Sequence, residues 1–191
     1  MKLKYIPNML TILRIILSIA LIFISPVLGV LSFTIYIIAG ITDMIDGPIA
    51  RYIPDGKSTF GAGLDALADM ILIIICIFVF LPEMGVQGLI FYIVLVALAF
   101  KIISASLSGL IKHRKVLFLH TIGNKLAAFF LFLAPIIYFF TGSYTIVDYY
   151  MIFIIFWVFL VTIEEAFINL MLKKPNTNIK GIWQVRAENR R

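Results

Sequence analysis

Four of the five aspartates between residues 43 and 69 form two closely spaced pairs. Asp43 and Asp46 are three residues apart, and Asp65 and Asp69 are four residues apart. Either spacing places both carboxylates on one face of a helix. Converging carboxylates repel one another unless cations neutralise them, and a site built only of oxygen ligands suits Mg²⁺, Mn²⁺ or Ca²⁺ rather than zinc. The pattern therefore predicts a site for one or two divalent ions, and Mg²⁺ would indicate a substrate that carries phosphate.

The elements that position these aspartates are predicted to be membrane helices. The chain has 191 residues, of which 62% are hydrophobic, and a span needs about 20 apolar residues. We predict an all-α, polytopic membrane protein in which six transmembrane helices form one bundle, near residues 8–25, 28–50, 61–81, 87–111, 119–140 and 147–172. Residues 1–172 then form one transmembrane domain, and residues 173–191 form a basic cytoplasmic tail. We expect this tail to be loosely ordered on anionic headgroups.

The distribution of basic residues predicts the orientation. The connections near residues 26–27, 82–86 and 141–146 contain no Lys or Arg, whereas the termini and the other connections are basic. This asymmetry places both termini in the cytoplasm. The basic residues are spread over four separate segments, which argues against nucleic acid as a partner.

Ionisable residues also occur inside the predicted spans, at similar depths. At 1.5 Å per residue they lie roughly 6–15 Å from the cytoplasmic edge. Charges within a membrane are costly, so their common depth predicts a functional cavity that opens to the cytoplasm. Besides the aspartates they are Arg14, Lys101, Lys125, Glu164 and Glu165. Because the two glutamates are adjacent on a helix, at most one is expected to face the cavity and pair with Lys101 or Lys125.

The aspartate segment carries a specific signature, D-x2-D-G-x2-A-R-x8/9-G-x3-D-x3-D. Its eight fixed positions are occupied by Asp43, Asp46, Gly47, Ala50, Arg51, Gly61, Asp65 and Asp69. The segment resembles the CDP-alcohol phosphotransferase family of integral membrane phospholipid synthases. The opening from Pro7 to Arg14 resembles that of bacterial phosphatidylglycerophosphate synthases and of related cardiolipin synthases. Pro48 occupies a free position of the signature and is expected to bend its helix.

The resemblance implies a reaction, a cofactor and roles for the signature residues. A phosphatidyl group would move from CDP-diacylglycerol to a small alcohol, and CMP would be released. The four aspartates would bind Mg²⁺ or Mn²⁺, and Asp69 would also act as the general base. The cytidine and its phosphates would contact Gly47, Ala50, Arg51 and Gly61. The resemblance further implies a homodimer in a bacterial cell membrane, with the active site facing the cytoplasm.

The alcohol acceptor is less well defined. The opening segment favours glycerol 3-phosphate, whose phosphate could be held by Lys101, Lys125 and Arg114. The segment from His120 to Ala128 fits the glycerol-phosphate pattern poorly, and "FGAGLDALAD" is shared with members that use serine or inositol phosphate. Inositol phosphate and serine therefore remain open as acceptors.

Two other classes of protein could place carboxylates in a membrane. Aspartate-rich membrane prenyltransferases also bind a metal-diphosphate, but they carry two similar motifs farther apart in the chain, whereas here one block holds all four aspartates. Cation transporters tend to have internal repeats and sites at mid-membrane. This sequence shows no repeat, and its carboxylates lie near one edge.

Overall fold

The computed structural model describes most of the chain. It covers residues 6–24, 29–52, 59–114, 119, 121–173, 177 and 179–189, and every regular element in these ranges is helical. Within them the side chains of residues 6–7, 43–52, 59–62, 66 and 186 are outside the description. The described chain divides into two compact units, residues 1–85 with 135–142, and residues 86–134 with 143–191.

The first unit is built from three long helical segments. They are α1 (Ile6–Ile24), α2 (Val30–Tyr52), and a rod made of α3 (Thr59–Ile75), a π-helical turn (Cys76–Phe80) and α4 (Leu81–Glu83). Helix α1 packs against both α2 and α3. An aromatic contact joins α2 to the rod, with Tyr36 edge-on to Phe80 at 5.0 Å between centroids. The rod ends at Gly85, whose φ of 78° suits a residue without a Cβ.

The second unit is built around the packing of α5 (Gly88–His113) against α7 (Tyr144–Met171). Helix α6 (Ile122–Thr141) contributes its residues up to Ala134 to this unit. Tyr150 on α7 donates a hydrogen bond to the backbone carbonyl of Phe130 on α6, at 2.9 Å. The Phe130 ring lies edge-on to Trp157 at 5.4 Å between centroids. These contacts join α6 and α7 by aromatic packing.

The helices match the six that the sequence predicts, and the prediction of an all-α, polytopic membrane protein is confirmed. Four described segments are long and apolar enough to cross a membrane: Gly63–Glu83, Gly88–His113, Ile122–Thr141 and Tyr144–Met171. The described apolar parts of α1 and α2 are shorter, Asn8–Ile24 and Val30–Thr42. Large apolar side chains are exposed along the helices, as lipid contact requires; examples are Phe23, Leu89 and Phe140. That α1 and α2 also span the membrane, and that both termini are cytoplasmic, stay predictions.

The chain after α7 differs from the loosely ordered tail that its composition suggests. Its described residues continue through a 3₁₀ turn (Ile182–Gln184) and α8 (Val185–Glu188), and they belong to the second unit. Ile179 and Val185 are buried in a cluster with Leu119, Ile168 and Leu172. The backbone N–H of Ile122 donates to the carbonyl of Lys180 at 3.0 Å. A few well-spaced apolar residues thus fold a segment that is basic overall.

Candidate functional site

Two signature aspartates converge on one arginine in the first unit. Nη1 of Arg14 on α1 lies 2.8 Å from Oδ1 of Asp69 and 3.3 Å from Oδ1 of Asp65, both on α3. The spacing of four residues along α3 therefore brings the two carboxylates to one cationic atom, as the helical period predicts. The Arg14 side chain is completely buried, whereas the side chains of Asp65 and Asp69 are 46% and 50% exposed. The guanidinium is thus enclosed by protein, whereas both carboxylates keep exposed surface that a ligand can contact.

Helix α1 presents Arg14 on a buried stripe that is mostly polar. Thr11, Arg14, Ser18 and Leu21 follow one another at steps of three or four residues, and all four are buried. The opposite face carries exposed apolar side chains such as Ile12, Ile16 and Ile19. A membrane helix turns its polar side chains toward the protein and its apolar side chains toward lipid, because an unpaired charge in hydrocarbon is costly. This pattern aims Arg14 at α3.

The carboxylate pair fits a divalent cation. Both side chains offer only oxygen ligands, which Mg²⁺ and Mn²⁺ prefer, and Arg14 already shows that one positive group can contact both at once. The rest of the predicted site lies outside the described side chains: Asp43, Asp46, Gly47, Ala50 and Arg51 on α2, and Gly61 on α3. Among the residues whose side chains are described, no three potential metal ligands come together. The four-aspartate site therefore stays a prediction, supported by the convergence of two members.

The second unit contains a polar cluster of Lys101, Asn124, Glu165 and the backbone of Leu119, here called the Lys101 cluster. Glu165 is 2% exposed, and its Oε2 lies 3.2 Å from Nζ of Lys101. The other carboxylate oxygen, Oε1, accepts the N–H of Leu119 at 2.8 Å. Asn124 accepts from Lys101 and donates to Glu165 and to the Leu119 carbonyl. The cluster ties α5, α6 and α7 together with nearly every polar group satisfied.

The residues predicted to hold an acceptor phosphate occupy different settings in this unit. Lys101 belongs to the Lys101 cluster, and its side chain is 25% exposed. Lys125 is exposed on α6, next to Asn124, and Arg114 is exposed at the end of α5 with a φ of 55°. Of the two adjacent glutamates, Glu165 pairs with Lys101, in line with the prediction that at most one of them would pair with Lys101 or Lys125. Glu164 instead accepts the backbone N–H of Ile182 at 3.1 Å. The Lys101 cluster includes neither Lys125 nor Arg114.

Sequence reasoning missed two features of these sites. It placed Arg14 at the depth of the aspartates but did not pair it with Asp65 and Asp69. It did not single out Asn124, although an amide within an apolar span is costly without partners. The position of Asn124 within an apolar span was therefore a sequence feature that could have identified it. Its partners on other helices could not be predicted from local spacing.

An aspartate pair that offers only oxygen ligands within an all-α membrane protein is compatible with an enzyme that binds a divalent metal and a phosphate ester. The chain is a member of the CDP-alcohol phosphatidyltransferase family, whose family model matches residues 4–164. The family predicted from the signature is thereby confirmed.

Individual relatives match over a shorter part of the chain. A probable cardiolipin synthase (CMP-forming) of Drosophila melanogaster is 43% identical over 75 residues, which are 35% of this chain and 21% of that protein. The cardiolipin synthase (CMP-forming) of Homo sapiens is 42% identical over 76 residues, 36% of this chain and 23% of that protein. The match thus spans less than a quarter of the length of these curated relatives. No solved structure matches the chain.

Proposed function

We propose that this protein transfers a phosphatidyl group from CDP-diacylglycerol to an alcohol and releases CMP. The observation that carries the proposal is the convergence of Asp65 and Asp69, two signature aspartates, on one cationic atom. The family match over residues 4–164 supports the reaction class. The words "CMP-forming" in the descriptions of the relatives support the leaving group.

We propose different roles for different residues of the signature. Asp65 and Asp69, together with Asp43 and Asp46, would hold Mg²⁺ or Mn²⁺. A metal held by these aspartates would supply positive charge to offset the diphosphate and the charge on the leaving CMP. Asp69 takes the proton from the acceptor hydroxyl as general base.

The donor nucleotide has its own contacts in this proposal. Gly47, Ala50, Arg51 and Gly61 contact the cytidine and its phosphates, with the small residues leaving room for the ligand. The lipid tails of the donor would stay in the bilayer, and the exposed apolar helix surfaces support a location of the protein within it.

The orientation of the site is inferred from the charge distribution, and the homodimer and the bacterial membrane are inferred from the family resemblance. We infer an active site that faces the cytoplasm, in a homodimer in a bacterial cell membrane. The absence of Lys and Arg from the connections near residues 26–27, 82–86 and 141–146 supports this orientation.

Glycerol 3-phosphate is the first candidate acceptor. Its phosphate would contact Lys125 and Arg114, which are exposed, and Lys101, which keeps part of its surface open. The charge of Lys101 is offset by Glu165, so Lys125 and Arg114 would supply most of the attraction for an anion.

Cardiolipin synthesis is the second candidate, and the descriptions of the relatives favour it. Cardiolipin joins two phosphatidyl groups through one glycerol, so the acceptor would be the terminal hydroxyl of phosphatidylglycerol. The neutral pair of Lys101 and Glu165 is compatible with an acceptor that presents a hydroxyl group rather than a phosphate monoester.

An acceptor panel tests the proposed function. Purified protein would receive CDP-diacylglycerol, Mg²⁺ or Mn²⁺, and in turn glycerol 3-phosphate, phosphatidylglycerol, myo-inositol 1-phosphate, inositol or serine. We expect metal-dependent CMP release with one of these acceptors, and mass spectrometry of the lipid product identifies which. An Asp65→Asn protein serves as the inactive control. The absence of metal-dependent CMP release with every one of these acceptors would contradict the proposal.

A further inference from the structure

Arg14 occupies a place that the proposed function assigns to a metal ion. Its guanidinium is completely buried and contacts one oxygen of Asp65 and one oxygen of Asp69. The guanidinium supplies a positive charge and hydrogen-bond donors but no acceptor. The two carboxylates are therefore partly neutralised by the protein itself.

We propose that Arg14 is an internal counter-ion for Asp65 and Asp69, and that it weakens metal binding until a diphosphate substrate is present. The inference rests on the proposed function, because it takes these two aspartates as metal ligands.

Two effects of Arg14 on a metal must be compared. The guanidinium can hold the carboxylates in place, which would favour a metal, and it also repels an incoming dication, which would oppose one. Asp65 and Asp69 lie four residues apart on one helix, so their convergence is already provided by the helix. Repulsion between the buried positive charge and the metal is therefore the larger effect. Arg14 thus lowers the affinity of the two carboxylates for the metal.

Such a site couples metal loading to substrate. Mg²⁺ is usually bound by one or two carboxylates together with substrate phosphates. Carboxylates that are partly neutralised by Arg14 hold a metal weakly alone, and the oxygens of a diphosphate complete the binding. In the absence of metal, Arg14 stabilises the protein, because Asp65 and Asp69 would otherwise repel each other within the membrane.

Metal titration of the full chain in detergent tests the inference. Mn²⁺ binding would be measured from the magnetic resonance signal of free Mn²⁺, with and without CDP as a soluble diphosphate. Arg14→Gln removes the charge and keeps a hydrogen-bond donor, whereas Arg14→Lys keeps the charge. Lys112→Met removes an equal charge from an exposed position on α5 and controls for net charge.

Without CDP, we expect Arg14→Gln to bind Mn²⁺ about tenfold more tightly than the unmodified protein does. We also expect CDP to raise the Mn²⁺ affinity of Arg14→Gln by a smaller factor than it raises that of the unmodified protein. Arg14→Lys and Lys112→Met are expected to match the unmodified protein. Unchanged or weaker Mn²⁺ binding by Arg14→Gln would overturn the inference and leave the proposed function intact. An unmodified protein that binds no Mn²⁺ even with CDP would overturn both.

Stability supplies a second measurement. If Arg14→Gln unfolds when metal is removed, its melting temperature as a function of Mn²⁺ concentration reports the same affinity. Because the metal should replace the counter-ion, an Arg14→Gln protein that stays unfolded in saturating Mn²⁺ would also contradict the inference.

Discussion

Lys101 and Glu165 form an ion pair between helices α5 and α7, with Nζ of the lysine 3.2 Å from Oε2 of the glutamate. Glu165 is almost completely buried, and it also accepts hydrogen bonds from the Leu119 backbone and from Asn124. One carboxylate therefore holds three separate stretches of the second unit. Glu164, the next residue along the helix, instead accepts the backbone N–H of Ile182.

Replacing Glu165 with Ala is expected to destabilise the protein strongly. The change leaves Lys101, Asn124 and the Leu119 N–H without their shared acceptor, and breaking a buried charge pair costs about 3–5 kcal/mol. Thermal unfolding in detergent measures the loss. Glu164→Ala is the matched control and should melt close to the unmodified protein, since its partner is exposed. Equal melting temperatures for the two variants would show that the Lys101 cluster does not stabilise the fold.

Gly123 marks a close approach between α6 and α7. A Cβ at this position would lie 2.8 Å from Cγ2 of Val161, so Gly123→Ala should cost about 1–3 kcal/mol through overpacking. Gly63 on α3 has nothing within 4 Å of the corresponding point. Gly63→Ala should therefore raise stability by about 0.5–1 kcal/mol, because alanine favours a helix more than glycine does. The two substitutions should shift the melting temperature in opposite directions, and an unchanged or raised melting temperature for Gly123→Ala would contradict the packing at Gly123.

Asp65 and Asp69 are expected to be essential for turnover. Asparagine at either position removes a negative ligand but preserves the shape, so CMP release should fall to background while the protein still inserts and folds. Asp69→Asn should in addition keep CDP-diacylglycerol binding, provided that Asp43, Asp46 and Asp65 still hold a metal, because the base function of Asp69 acts on the acceptor. Asp148→Asn, on α7, serves as a control with the same change of chemistry. Near-normal CMP release by Asp65→Asn would exclude the proposed metal site.

Lys125 offers a cleaner test of a phosphorylated acceptor than Lys101. Lys125 is exposed, so Lys125→Met should leave stability unchanged, whereas Lys101→Met also deprives Glu165 of its ion pair. If the acceptor carries a phosphate monoester, Lys125→Met should raise the KM for that acceptor and leave the KM for CDP-diacylglycerol unchanged. Lys112→Met controls for net charge. An unaltered acceptor KM in both the Lys125 and the Lys101 variant would favour a neutral alcohol or serine.

Cysteine labelling tests the orientation of the helices. In a Cys76→Ser background, Thr145→Cys at the start of α7 should react with an impermeant thiol reagent added outside intact cells. Lys112→Cys at the end of α5 should react only after the membrane is opened, because the basic connections face the cytoplasm. Both positions are exposed, so burial does not explain a difference. The reverse labelling pattern would place the aspartates on the outer side.

Much of the fold follows from local sequence. The runs of apolar residues define the six helices, because an isolated backbone in lipid must satisfy its own hydrogen bonds and a helix does so within one segment. The convergence of Asp65 and Asp69 is also local, since four residues are close to one turn. The eight-position signature, from Asp43 to Asp69, was sufficient to identify the family.

The partners of these residues were decided only by tertiary structure. Arg14 is 55 residues from Asp69 in the chain, and Glu165 is 64 residues from Lys101. Which of Glu164 and Glu165 pairs with Lys101 depends on the rotation of α7 against α5, and the helical period alone leaves that rotation free. The segment after Met171 is basic in composition, yet Ile179 and Val185 find a buried cluster. Periodicity determines which residues share a face of one helix, whereas the packing of helices that are distant in sequence determines what that face meets.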